Sequence, residues 1–163
     1  MDTLAIFVLQ LVLSTIVFAL VAKWYVAPWL AEKSISQALT ILILPHTMRH
    51  IGLVFFVPGI VSQSLPSFFA YTAAYGDLIS GLLALLALVV LRYGWRMALP
   101  LVWFFNTVGT MDFLNALRHI EVVPDLGATW YIPTFFVPLL LVSHIMIFAR
   151  LLRKESLPLP RMA

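Results

Sequence analysis

Cysteine is absent from the 163-residue chain, which removes disulfides, thiolate catalysis, Fe–S clusters and Cys-ligated zinc from consideration. Charge is nearly as scarce: Asp and Glu together number 7, and all charged residues make up 10% of the sequence. A soluble domain carries about 25% charged and about 45–50% apolar residues. Here the hydrophobic share is 63% and the mean hydropathy is +1.03, so the chain belongs in lipid. Phosphate loops, nucleophile motifs, metal-ligand signatures, internal repeats and low-complexity tracts are also missing. The net charge of +3 does not indicate nucleic acid, because the basic residues fall at the ends of apolar runs, where membrane topology places them.

What is present is a series of apolar runs, each near the roughly 20 residues that cross a bilayer. They predict an all-α integral membrane protein, a five-transmembrane-helix bundle forming one membrane domain over residues 1–163. The helices are expected at roughly 4–25, 38–61, 69–91, 97–117 and 131–151. The first run lacks a basic leader and a small-residue cleavage site, and its apolar core is too long for a signal peptide. The third opens with only mildly apolar residues, so its helix can begin as late as Ala73, with Pro66 in the preceding turn. Lys23, Lys33, Arg92, Arg96, Arg150, Arg153, Lys154 and Arg161 share one side of this arrangement, and Arg118 lies on the other. The positive-inside rule then puts the N-terminus outside and the C-terminus in the cytoplasm. Trp24, Trp29, Trp95 and Trp130 fall near the expected interfaces, as an aromatic belt does.

Against this background Arg49 stands out, in mid-run with His46 and His50 beside it. A guanidinium keeps its proton, and mid-bilayer placement costs about 2.5–3.5 kcal/mol on insertion scales. Helix formation requires no such cost, so the bundle has a polar interior. Counting about 1.5 Å per residue, Arg49 and His50 fall roughly 16–18 Å deep, and Asp77 and Asp112 roughly 22 Å, within one turn of an arginine's reach. His46, Asn106 and His144 fall together at roughly 9–14 Å. Two tiers are predicted: Arg49, His50, Asp77 and Asp112 in one, and His46, Asn106 and His144 in the other. Helical phase supports them. His46, Arg49, His50 and Leu53 share an α-helical stripe; Asp77, Ser80, Gly81 and Ala84 make a second, with small residues that admit a close neighbour.

Such a site suits a hydrophobic or amphiphilic small molecule, such as a lipid, quinone or isoprenoid. Arg49 would hold an anionic or carbonyl head, with His46, Asn106, His144 and Trp103 completing the ligand-binding set. If the protein is an enzyme, His50 with Asp77 or Asp112 is the candidate acid/base group, since a carboxylate beside an imidazole fixes its tautomer. Acid/base or redox chemistry on the bound molecule would follow. A b-type haem between His46 and His144 is an alternative cofactor, and a metal on His46, His50 and Asp112 is a weaker one. A different class of reading is proton conduction or transport along His144, His46, His50, Asp112 and His119. A third is a structural subunit of a membrane complex or homo-oligomer, in which Arg49 and its carboxylates clamp the bundle. His119, next to Arg118 and Glu121, reads as a solvated helix end.

The runs Pro45-His-Thr-Met-Arg-His-Ile-Gly, Ala74-Tyr-Gly-Asp-Leu-Ile and Phe105-Asn-Thr-Val-Gly-Thr-Met-Asp resemble small bacterial inner-membrane proteins without an assigned activity. More loosely, Gly76-Asp77, the apolar 82–91 stretch and the Arg92–Arg96 turn are similar to the DoxX-like group. That resemblance covers under half the chain. It implies a multi-pass protein of the bacterial inner (cytoplasmic) membrane, in some members serving quinone-linked redox systems.

Overall fold

A computed structural model describes residues 2–153. Lys154 and Arg161, which entered the orientation argument, lie outside the described residues. The described residues are helical, with no strand among them. We label the helices α1 (Thr3–Ala31), α2 (Ile35–Phe56), α3 (Ser67–Arg92), α4 (Ala98–Ala116) and α5 (Gly127–Leu152). Of these, 4 are long and apolar enough to cross a membrane: α1, α2, α3 and α5. The remaining helix, α4, has 19 residues, but Asn106, Asp112 and Asn115 interrupt its apolar run.

Local sequence explains where the helices begin and bend. Ser34 and Gln37 form a reciprocal cap at the start of α2, each side chain accepting from the other's backbone N–H. Only Ile35–Ile43 of α2 is α-helical; Leu44–Phe56 winds as a 3₁₀ helix of 13 residues. Runs beyond about 3–4 residues are uncommon in that form. Pro45 sits at its start, where it removes a backbone donor and crowds the carbonyl one turn back. Single π-turns occur at Ala22–Val26 in α1 and Ile132–Phe136 in α5, beside Pro28 and around Pro133 and Pro138 respectively.

The helices α2, α3, α4 and α5 form most of the core, and α1 lies against α5, adding Phe7 and Leu30 to the packing near its two ends. At the end where α1 starts, the 57–66 and 117–126 connections are stitched together. Ser62 N donates to Asp125 O at 3.0 Å, and Ala128 N to Ile60 O at 2.8 Å. Gly127 has a φ of +53°, and an added Cβ would strike the Ile60 carbonyl oxygen, so that stitch requires glycine. Trp130 Nε1 donates to Gln10 Oε1 at 2.6 Å and packs edge-on against Phe7, pinning α1 to the head of α5. The opposite half is an aliphatic core of residues such as Leu39, Ile43, Ala84, Ala87, Val102 and Ile147.

Candidate functional site

The 3₁₀ winding of α2 decides which of its polar side chains face inward. Side chains at i and i+3 eclipse in a 3₁₀ helix, so the buried row is His46, Arg49, Gly52 and Phe55. The α-helical stripe expected from the sequence is therefore corrected. His50 and Leu53 fall off the row and are exposed; His50 Nδ1 lies 3.0 Å from the Thr47 carbonyl oxygen and touches neither carboxylate. The proposed acid/base pairing of His50 with Asp77 or Asp112 does not form. Trp103 is also outside the site, on the outer face of α4 against Phe148.

Arg49 gathers the other helices. Its Nε donates to Asp77 Oδ1 on α3 at 2.8 Å, and Nη2 to Asp112 Oδ2 on α4 at 2.5 Å. Nη1 donates to the Gly109 carbonyl oxygen at 3.2 Å, and the Phe113 ring covers the guanidinium at 3.7 Å. The Arg49 side chain is 1% exposed, whereas those of Asp77 and Asp112 are 11% and 17% exposed. The order is an arginine sealed behind two carboxylates that remain reachable. A pair of glycines makes this approach geometrically available. A Cβ on Gly52 would collide with the Asp77 carboxylate, and one on Gly76 with that of Asp112. The carboxylate oxygens not engaged by Arg49, Oδ2 of Asp77 and Oδ1 of Asp112, lie against those glycines.

Below Arg49 sits the second tier. Asn106 Nδ2 donates to the His144 carbonyl at 3.1 Å, leaving Asn106 Oδ1 to accept from His144 Nδ1 at 2.6 Å. That contact leaves the Nε2 lone pair of His144 as its acceptor. The ring of His46 lies 4.2 Å from that of His144, centroid to centroid, and is fully buried. Both nitrogens of His46, Nε2 of His144 and Oγ of Ser80 have no hydrogen-bond partner among the described residues. Rings in contact leave no slot for a macrocycle, so the alternative of a haem between His46 and His144 is not accommodated as they stand. The metal site of His46, His50 and Asp112 does not assemble: His46 is buried and His50 exposed, and no group of three such ligands comes together among the described residues. His46, Asn106 and His144 thus come together as a tier, and Gly109, between His144 and Arg49, joins the two tiers.

Above the carboxylates a cleft of about 60 Å³ opens toward the stitched end. That exceeds the roughly 10–15 Å³ needed to admit one water. Its walls are Phe55, Phe69 and Phe113, with Val122, Val123 and Leu126 from the 117–126 connection and Ile132 from the α5 π-turn. Its floor is Asp77 and Asp112. The ring of His119 also lines it, packed edge-on against Phe68 and Phe69 and 2.9 Å from Glu121 Oε1. The exposed Glu121 carboxyl is held below its ordinary value by its own backbone N–H and by His119. A smaller cleft reaches Arg49 and Asp77 from the side between α2 and α5, sharing Ile132 with the first. The π-turn therefore stands where both clefts meet, a recurrent place for such turns.

Sequence periodicity did not locate Phe55, Phe69, Phe113 or His119 as parts of one cleft. The signal for Gly52 and Phe55 is the three-residue spacing from His46, which is legible only if the 3₁₀ winding is known.

The signature of a domain of unknown function, DUF8737, matches residues 6–152. The chain belongs to the DUF8737 family. The DUF8737 match includes every residue of both tiers and the whole cleft lining. Neither a curated protein nor a solved structure matches the chain.

Proposed function

We propose that this DUF8737 protein is a five-span protein of the bacterial inner membrane that binds a hydrophobic or amphiphilic small molecule in the cleft above Asp77 and Asp112. The observation that carries this reading is an apolar, aromatic-walled cleft ending on two reachable carboxylates that a buried arginine holds in place. Ligand sites take that form: mostly apolar walls with a few fixed polar groups. Irregular backbone at membrane depth is tolerated where it lines a cavity or is buried in protein, and the 3₁₀ half of α2 and the π-turn of α5 both reach this region. In this proposal α4 is the fifth span, with Asn106 and Asp112 turned to its neighbours and Phe104, Met111 and Leu114 on its outer face, and the basic residues set the N-terminus outside. The cleft then opens toward the outer side. A proton ladder is less well supported, because His50 faces away from the carboxylates and breaks it.

Native mass spectrometry of gently solubilised protein, with Ala73→Trp in parallel, tests the reading. Ala73 lines the cleft, and an indole there fills it. We expect a hydrophobic adduct on the wild type that is lost in the variant while its melting temperature stays near that of wild type. Clean apo masses for both proteins, before and after exposure to a membrane lipid extract, overturn it.

A further inference from the structure

We infer that the ligand of this cleft presents a positively charged, hydrogen-bond-donating head, an alkylammonium group, to Asp77 and Asp112. The inference rests on the binding reading above and reverses the polarity expected from Arg49 alone. Arg49 is not part of the lining of this cleft. Three of its nitrogens donate to Asp77, Gly109 and Asp112, a phenyl ring covers its face, and its side chain is 1% exposed. What a molecule entering the cleft meets is the carboxylates in front of it.

Charge balance points the same way. One guanidinium faces two carboxylates, so the ionised cluster carries a surplus of one negative charge. Among the described residues the other titratable side chain on the cleft wall is His119, which is engaged with Glu121 at the rim. An unbalanced charge in a low-dielectric site is costly, so an occupant that brings one positive charge is favoured over a neutral or anionic one. The head must also donate, because carboxylate oxygens accept only. An ammonium satisfies both conditions, and the aromatic and aliphatic walls take an alkyl tail. The walls are suited to the head as well, since a cation on an aromatic face is attracted by it.

The test compares dodecylamine, dodecanol and dodecanoate, which share a tail and differ in head charge, against the protein in a neutral detergent. Binding is read by native mass spectrometry and by the shift in melting temperature, with Ala73→Trp giving the background from micelle partition. Lysophosphatidylethanolamine, which carries the ammonium behind a phosphodiester, separates a lipid source from a free amine. We expect an ammonium probe to bind about tenfold or more tightly than dodecanol, equivalent to about 1.4 kcal/mol. Dodecanoate should bind more weakly than either. Asp112→Asn should remove most of the preference while dodecanol binding persists. Equal or tighter binding of dodecanoate overturns the charge assignment and leaves the apolar cleft standing. Failure of every probe to bind above the Ala73→Trp background overturns both. Because the probe series is run on the wild type, the outcome does not depend on whether Asp112→Asn folds.

Discussion

The two halves of this bundle are built from different backbones and for different ends. Toward the Ile35 end of α2, helices that are α-helical apart from the α1 π-turn close over an aliphatic core in which Leu39, Ile43, Ala84, Val102 and Ile147 are packed nearly without exposure. Toward the opposite end, α2 is 3₁₀, α5 makes a π-turn, the walls turn aromatic and a cleft remains open above charged groups. In lipid every backbone group needs an internal partner, which favours regular helix wherever nothing else is asked of the chain. The contrast teaches that the irregular windings of α2 and α5 coincide with the cleft, whereas the π-turn of α1 at Ala22–Val26 lies beside the aliphatic half and lines neither cleft.

Substitutions can break that contrast, and removing the arginine should have the largest effect. Arg49→Met leaves Asp77 and Asp112 facing each other without their shared counter-charge. The expected loss is about 3–5 kcal/mol, as for other broken buried pairs. A denaturant titration in detergent checks it, and a variant as stable as wild type would show that the cluster does not hold the bundle together. Next come the glycines of the irregular half. Gly52→Ala pushes a methyl into the Asp77 carboxylate and its Cβ, so a cost of about 1–3 kcal/mol is expected, and binding should fall with it. Gly81→Ala meets ordinary van der Waals contacts and should be near neutral, helped by the better helix propensity of alanine. Comparing their melting temperatures separates close packing at the site from helix packing in general.

A smaller effect distinguishes the paired from the unpaired imidazole. His144→Leu leaves the buried Asn106 Oδ1 without its donor, while Nδ2 keeps the backbone carbonyl, and should cost about 1–3 kcal/mol. His46→Leu removes two polar atoms that have no partner, so stability should be unchanged or slightly higher. Equal losses from both would mean that His46 has a polar partner that rewards its burial.

The helical segments were legible because apolar runs and basic ends are read from composition alone. The meeting of Arg49 with Asp77 and Asp112 was legible too, since few partners exist for a cation at that depth. His50 was misplaced because a stripe drawn at 3.6 residues per turn becomes a different row at three per turn. Nothing in residues 44–56 beyond Pro45 announces that change of winding. The cleft was hidden for another reason. Phe55, Phe69, Val122 and Ile132 come from separate elements, and only the stitching of the 57–66 and 117–126 connections brings them around one space. His119, which looked like a solvated helix end, is swung over Phe69 by the turn that follows α4.

The most direct test of the account is to photolabel the protein in neutral nanodiscs with a long-chain alkylamine bearing a diazirine in its tail, and to map the modified residues. The account predicts labels on the cleft walls, at Phe55, Phe69, Val122 and Ile132, suppressed by excess dodecylamine and by Ala73→Trp. Labels confined to the outward face of α1, at residues such as Leu9, Val12 and Leu13, and unaffected by competitor, would contradict it.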